Sequence, residues 1–103
     1  MIKSTHMSNV FVVTPTYNEK ENLPVLVEKV FALKIPELEM IVVDDNSPDG
    51  TGALAEILAK KYPVRVIHRP EKAGLGKAYI AAFEELLKRK DPPDFIIQMD
   101  ADL

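Results

Sequence analysis

Two pairs of aspartates stand directly after apolar runs in this 103-residue chain. The first pair is Asp44 and Asp45, and the second is Asp100 and Asp102, with a single alanine between its members. Carboxylate oxygens are ligands that Mg²⁺ and similar hard cations prefer, and the small alanine leaves room for a ligand. Because acids gathered without a cation repel one another, the pattern favours a divalent metal or a polyhydroxyl ligand. An isolated D-x-D is more often a solvated pair of acids, so it indicates a site only together with the other loops.

Polar, turn-forming segments follow all four apolar runs of the chain. They are residues 16–19, 44–51, 69–76 and 100–102. All four glycines fall in or beside two of these segments, where a backbone can turn sharply or approach a ligand closely. Loops between strands and helices also need turn residues for purely structural reasons, and Pro48 and the glycines satisfy that need equally well.

The apolar runs themselves predict four β-strands, over residues 9–14, 40–43, 64–67 and 95–99. The first strand is expected to end at Pro15. The second is typical of a strand buried on both faces. Arg65 interrupts the third run, which favours a position near the edge of the sheet.

Helical periodicity predicts three helices between these strands. Asn22 is expected to cap the first helix and Pro24 to lie in its first turn. Asp49 or Thr51 is expected to cap the second, which covers residues 53–61. The apolar positions predicted to face the core are Leu23, Leu26, Val27, Val30 and Phe31 in the first helix, Leu54, Ala55, Ile57, Leu58 and Ala59 in the second, and Leu75, Ala78, Tyr79, Ala82, Phe83, Leu86 and Leu87 in the third.

The order β-α-β-α-β-α-β predicts a parallel sheet with right-handed crossovers, in a three-layer α/β/α, Rossmann-like half-fold. Residues 9–103 form one domain, whereas residues 1–8 resemble a tag or a disordered N-terminus. The chain ends four residues after its fourth predicted strand, so the sequence is expected to be cut short. An uncovered fourth strand would expose apolar surface and is expected to drive self-association.

Composition and motif spacing exclude several classes of function. The net charge of −3 gives no basic surface for nucleic acid, and the absence of cysteine excludes thiolate metal sites. No run approaches the ~20 apolar residues of a membrane span, and the chain is expected to be cytoplasmic. The Gly74–Lys77 sequence lacks P-loop spacing, and no G-x-G-x-x-G follows the first strand, which disfavours a dinucleotide oxidoreductase.

Four motifs in order resemble those of family 2 glycosyltransferases. Within that family they are most similar to dolichol-phosphate (polyprenol-monophosphate) mannosyltransferases. The motifs are PTYNE at residues 15–19, VDDNSPDGT at 43–51, RPEKAGLGKA at 69–78 and MDADL at 99–103. They span nearly the whole of residues 9–103, which makes the resemblance much more specific than the D-x-D alone.

The resemblance implies a GT-A fold with strand order 3-2-1-4 and a nucleotide sugar bound across the carboxyl edge of the sheet. It further implies transfer of mannose from GDP-mannose to a polyprenyl or dolichyl phosphate with inversion, at the cytoplasmic face of a membrane. The implied nucleotide-binding residues are Pro15, Tyr17, Glu19, Val43 and Asp45. The implied diphosphate-binding residues are Asp100, Ala101 and Asp102, with Asp100 and Asp102 acting through Mg²⁺ or Mn²⁺.

The chain departs from the family in length, because members continue well past the D-x-D sequence. It is therefore expected to be the donor-binding segment of such an enzyme and to have little or no transferase activity alone. One alternative is a non-catalytic nucleotide-binding or structural fragment, and another is a family 2 transferase that uses a different nucleotide sugar. A signalling receiver domain is disfavoured, because its paired acids follow the first strand and not the second.

Overall fold

A computed structural model describes residues 9–71 and 74–102, and it describes Leu75 by its backbone alone. The predicted tag at residues 1–8 and the loop residues Lys72 and Ala73 lie outside the described residues, as does Leu103. The elements are β1 (Val10–Thr16), α1 (Asn22–Ala32), β2 (Leu38–Asp44), α2 (Thr51–Leu58), β3 (Val64–His68), α3 (Leu75–Leu87) and β4 (Phe95–Gln98).

The four strands form one parallel sheet in the order β3-β2-β1-β4, which confirms the predicted fold and the edge position of β3. Alternate residues of the two central strands face two separate cores, as the two-residue period of a strand requires. Val12 and Val42 pack with residues of α1 and α2, whereas Val13 and Val43 pack with residues of α3. The sheet is therefore the middle of three layers.

Strand β1 continues through Pro15 and ends at Thr16, so the prediction that it ends at Pro15 is wrong. The Val13 carbonyl accepts a hydrogen bond from Met99 on the β4 side, and the Thr16 carbonyl accepts one from Asp45 on the β2 side. The backbone groups of successive strand residues point to opposite sides, so those of Pro15, two residues after Val13, point to the β4 side. Pro15 lies beyond Val13 and Gln98, the last residues paired between β1 and β4. The missing N–H of proline therefore interrupts no ladder hydrogen bond.

The predicted helix caps are also wrong. Asn22 is the first residue of α1, which follows Glu21 without a side-chain cap, and the Asn22 side chain donates to Glu19 instead. Pro24 does lie in the first turn. Helix α2 likewise begins at Thr51, preceded by Gly50 in the left-handed conformation at φ 93°. Glycine adopts that conformation without the strain of a Cβ. Asp49 precedes the cap position, but its Oδ1 still accepts a hydrogen bond from the Thr51 amide.

Two residues predicted to face the core are exposed. Ile57 is 52% exposed, because it lies two positions after the buried Ala55 and therefore on the opposite side of α2. Leu87 is 68% exposed at the end of α3, where the buried stripe runs through Ala78, Ala82 and Leu86 at four-residue intervals. Within the described residues, no helix is both long and apolar enough to cross a membrane.

Candidate functional site

A cavity of about 250 Å³ opens at the carboxyl edge of the sheet. The ends of β1 and β4 border it, at the point where the order of the strands reverses, which is the usual ligand position in open α/β sheets. Its walls are formed by Pro15, Thr16, Tyr17, Glu19, Asp45, Gly74, Ala78, Asp100, Ala101 and Asp102. The structure thus brings together all the predicted site residues except Val43, which is fully buried in the core beneath α3.

Asp44 is a buried carboxylate that is occupied by contacts within the protein. Its Oδ1 accepts hydrogen bonds from the hydroxyls of Thr16 at 2.7 Å and Ser47 at 2.6 Å, and its Oδ2 accepts one from the Ser47 amide at 3.0 Å. A Cβ at Gly52 would lie only 2.9 Å from the same Oδ2, so helix α2 approaches this carboxylate as closely as a glycine permits. Asp44 therefore fixes the loop that follows β2.

Asp45, the next residue, lines the cavity and keeps unused hydrogen-bonding capacity. Its Oδ1 lies 3.5 Å from Nη1 of Arg69, with both side chains largely buried. Neither of these two atoms has a hydrogen-bond partner among the described residues, so their contact is electrostatic. A buried acceptor without a hydrogen bond is uncommon in folded proteins. Because Oδ1 is buried against Arg69, a ligand in the cavity would meet the remaining part of the Asp45 carboxylate.

The loops that follow β1 and β2 are joined by hydrogen bonds. The amides of residues 18–20 donate in order to Ser47 Oγ at 2.9 Å, Thr51 Oγ1 at 3.0 Å and Asp49 Oδ2 at 3.2 Å. In turn, the hydroxyl and amide of Thr51 donate to Asp49 Oδ1. The hydroxyl bond is the main reason that the pKa of Asp49 lies below its usual value. Together these contacts fix the backbone that carries Tyr17 and Glu19.

The acids at the end of β4 are held much more loosely. Asp100 and Asp102 are exposed on either side of the buried Ala101. The Tyr79 hydroxyl donates to Asp100 Oδ1 at 3.3 Å, which is long for such a bond. Partial burial, followed by the negative charge of Asp100, raises the pKa of Tyr79. Both carboxylates therefore remain accessible to a ligand.

These two acids fit a cation that completes its coordination with ligand oxygens. Among the described residues, no group of three or more histidines, aspartates and glutamates could hold a metal by itself. Mg²⁺ is commonly bound by one or two carboxylates together with phosphate oxygens of a substrate and water. Two exposed carboxylates beside a cavity match that requirement, whereas they would not form a closed structural metal site.

Sequence reasoning missed the residues that position the site. Residue types alone give Asp44 and Asp45 the same role, although the family resemblance points to Asp45. They predict Asp49 and Thr51 only as helix caps and not as partners of residues 18–20. The motif VDDNSPDGT contains these partners, but only the fold brings them opposite the loop after β1. Gly74 and Ala78 also line the cavity from the start of α3, although Ala78 is predicted from the sequence only as a core-facing residue.

Comparisons with known proteins agree with this geometry. The chain is 52% identical over 93 residues to polyprenol monophosphomannose synthase of Mycolicibacterium smegmatis, which covers 88% of this chain and 34% of that protein. It is 45% identical over 95 residues to dolichol-phosphate mannosyltransferase of Pyrococcus furiosus, which covers 91% of this chain and 26% of that protein. The chain thus spans about a third or less of the length of these relatives.

A solved structure with the same arrangement is the mannosyltransferase PcManGT of Pyrobaculum calidifontis in complex with GDP-Man and Mn²⁺. It superimposes with a TM-score of 0.82 at 26% identity, covering 95% of this chain and 28% of its own. The order β3-β2-β1-β4 is accordingly that of a GT-A glycosyltransferase sheet. The family model "Glycosyl transferase family 2" matches residues 11–103, and this chain therefore belongs to glycosyltransferase family 2.

Proposed function

We propose that this chain is the donor-binding part of a glycosyltransferase that transfers mannose from GDP-mannose to a polyprenyl phosphate with inversion. The observation that carries the proposal is that Asp45, Asp100 and Asp102 all border the same cavity. A nucleoside diphosphate has N–H groups on its base, which suit the acceptor Asp45. It also has negative charge on its phosphates, which suits a cation held by Asp100 and Asp102. The relatives named for polyprenol- and dolichol-phosphate support the choice of acceptor.

In this proposal the β1 and β2 ends hold the nucleoside. Asp45 accepts a hydrogen bond from the base, and Nη1 of Arg69 lies 3.5 Å from its Oδ1 on the protein side. Pro15, Tyr17 and Glu19 border the nucleoside, with Tyr17 partly exposed and available to pack against it. Val43 packs in the core and does not line the cavity, so in this proposal it supports the neighbouring residues and does not contact the nucleoside.

The β4 end holds the diphosphate. Asp100 and Asp102 bind a divalent cation, Mg²⁺ or Mn²⁺, and Ala101 leaves room for the phosphate oxygens. Such a cation, when bound, neutralises charge on the departing diphosphate. A phosphate oxygen of the acceptor forms a bond to the anomeric carbon of mannose as the bond from that carbon to GDP breaks, and this single displacement inverts the anomeric centre. The acceptor is already an anion, so no strong general base is required.

The chain alone is expected to bind the donor's nucleotide but to turn over little or no substrate. Its cavity of about 250 Å³ lies below the ~300–1,000 Å³ typical of complete small-molecule sites. An assay with GDP-mannose and a polyprenyl phosphate checks this expectation, and clear turnover by the 103-residue chain would contradict it.

Calorimetric titration with GDP and with UDP, each with and without Mn²⁺, tests the binding role. We expect GDP to bind more tightly than UDP, and much more tightly with the metal than without it. Asp102→Ala should weaken that binding at least tenfold, whereas Glu84→Ala, which removes an exposed acid from α3, should leave it unchanged. If circular dichroism shows a folded chain that binds neither nucleotide, the chain is a structural fragment and the proposal is wrong. Tighter binding of UDP would favour a different nucleotide sugar.

A further inference from the structure

Arg69, the first residue after β3, has a side chain that lies largely inside the protein. Only 15% of that side chain is exposed, although arginines are mostly exposed in folded proteins. Its backbone amide donates to the Asp44 carbonyl at 2.8 Å, and the Asn46 side chain donates to the Pro70 carbonyl at 3.1 Å. The two residues on either side of Asp45 therefore hold the start of the loop that carries Arg69.

The guanidinium of Arg69 meets one oxygen of the Asp45 carboxylate. Nη1 lies 3.5 Å from Oδ1, and both atoms are buried without a hydrogen-bond partner among the described residues. The Asp45 amide donates to the Thr16 carbonyl at 3.1 Å, so the backbone of Asp45 is also held. With the backbone and Oδ1 both held, the second carboxylate oxygen, Oδ2, is the one left for the cavity that Asp45 lines.

Stability alone does not explain the contact between Arg69 and Asp45. A buried ion pair offsets the cost of its desolvation only when its geometry is good and further hydrogen bonds satisfy its atoms. Nη1 and Oδ1 lack such bonds within the described part of the chain, whereas the neighbouring Asp44 carboxylate accepts three. The end of β2 thus carries one carboxylate that is satisfied within the protein and one that is oriented but not satisfied.

Arg69 is not among the described residues that line the cavity, so its effect on a ligand there passes through Asp45. We propose that Arg69 is a positioning residue for recognition of the donor's base. It holds Oδ1 of Asp45 and directs Oδ2 toward the cavity, where Oδ2 accepts the hydrogen bond from an N–H group of the base. The inference rests on the proposed function, because it assumes that a nucleoside occupies the Asp45 side of the cavity.

The shape of the guanidinium suits this role. It is planar and carries donors only, so it can hold a carboxylate oxygen but cannot itself accept a hydrogen bond from the base. Lysine offers a compact ammonium on a flexible chain, without the fixed fork of donors. Arg69→Lys should therefore keep the charge beside Asp45 and restore only part of the orientation.

Calorimetric titration of Arg69→Met with GDP, with and without Mn²⁺, tests the role. We expect GDP binding to weaken about tenfold in both conditions, as for loss of a hydrogen bond to a charged group, so that the gain in affinity from Mn²⁺ is unchanged. Arg69→Lys should lose less. The matched control is Arg89→Met, because Nη1 of Arg89 is also buried without a hydrogen-bond partner among the described residues, but lies beside Glu39 near the start of β2. That variant should bind GDP as the wild type does.

A double-mutant cycle shows whether Arg69 acts through Asp45. In an Asp45→Ala background, Arg69→Met should weaken GDP binding no further. Unchanged binding in Arg69→Met, a loss that persists in the Asp45→Ala background, or a loss confined to the gain from Mn²⁺ would overturn the inference and leave the proposed function standing. Circular dichroism checks that each variant is folded, and Arg69→Lys supplies the comparison if Arg69→Met is not. A folded wild-type chain that binds no GDP would overturn both the proposed function and this inference.

Discussion

The carboxyl edge of the sheet has two regions that are built in different ways. The loops after β1 and β2, residues 17–22 and 45–51, are joined to each other by amide-to-side-chain hydrogen bonds and anchored on the buried Asp44. The β4 end, residues 100–102, presents two exposed carboxylates with one long hydrogen bond from Tyr79. The first region is organised before any ligand arrives, whereas the second depends on a ligand to fix its charges. We infer that the first suits a neutral base and the second a metal-bound diphosphate.

The comparison predicts the largest effect for a change at Asp44. Asp44→Ala removes the acceptor of three hydrogen bonds and leaves the hydroxyls of Thr16 and Ser47 without their partner. We expect the free energy of unfolding to fall by about 3 kcal/mol, because hydrogen bonds to a buried charged group are among the stronger ones. Urea unfolding followed by circular dichroism measures this change.

The same substitution at the β4 end is its control. Asp100→Ala should change the free energy of unfolding by no more than about 0.5 kcal/mol, since the side chain is exposed. Equal losses of stability in the two variants would mean that the two regions do not differ in the way described.

A second pair of variants tests how closely α2 approaches Asp44. In Gly52→Ala the new Cβ would lie 2.9 Å from Asp44 Oδ2 and 3.3 Å from the His68 ring, so the carboxylate has to move. We expect a loss of about 1–3 kcal/mol in the free energy of unfolding. Gly76→Ala in α3 meets nothing within 4 Å and should be neutral or stabilising by up to about 1 kcal/mol. Thermal unfolding of both variants measures these changes. If Gly76→Ala destabilised the fold more than Gly52→Ala, the described packing around Asp44 would be contradicted.

The smallest expected effect is the dependence of stability on pH through Asp49. Its pKa is lowered in the folded chain, chiefly by the Thr51 hydroxyl. A carboxyl whose pKa is lower in the folded than in the unfolded chain stabilises the fold above the unfolded value, near 4. That stabilisation is lost as the pH falls through the folded pKa. Asp49→Asn should therefore flatten part of the decline in stability between about pH 5 and pH 3, and urea midpoints that decline identically in both proteins would count against this role.

The parallel sheet and the edge that carries the cavity could be predicted because they rest on repeated signals, whereas the strand order is implied by the resemblance to the family. Four apolar runs alternate with helical patterns, and their polar ends must meet at one edge of a parallel sheet. The structural role of Asp44 could not be predicted, since it depends on cross-strand neighbours. Thr16 lies opposite Asp44 in the β1–β2 register, and a sequence pattern does not contain that pairing.

The errors have the same origin. Ile57 and Leu87 fit a helical period, but each lies off the buried side of its helix. Pro15 stops a strand only where its N–H would have had a partner, and here β4 pairing has already ended. Val43 belongs to a site motif, yet the alternation of side chains along β2 points its side chain into the core.

The most direct test of the two-region account is a titration followed by amide chemical shifts, with guanosine and with GDP, each with and without Mg²⁺. We predict that guanosine shifts the amides of residues 17–19 and 45 whether or not the metal is present. GDP with Mg²⁺ should add shifts at residues 100–102, and Asp102→Ala should abolish only these. Guanosine shifts centred on residues 100–102, or GDP shifts there that do not need Mg²⁺, would contradict the account.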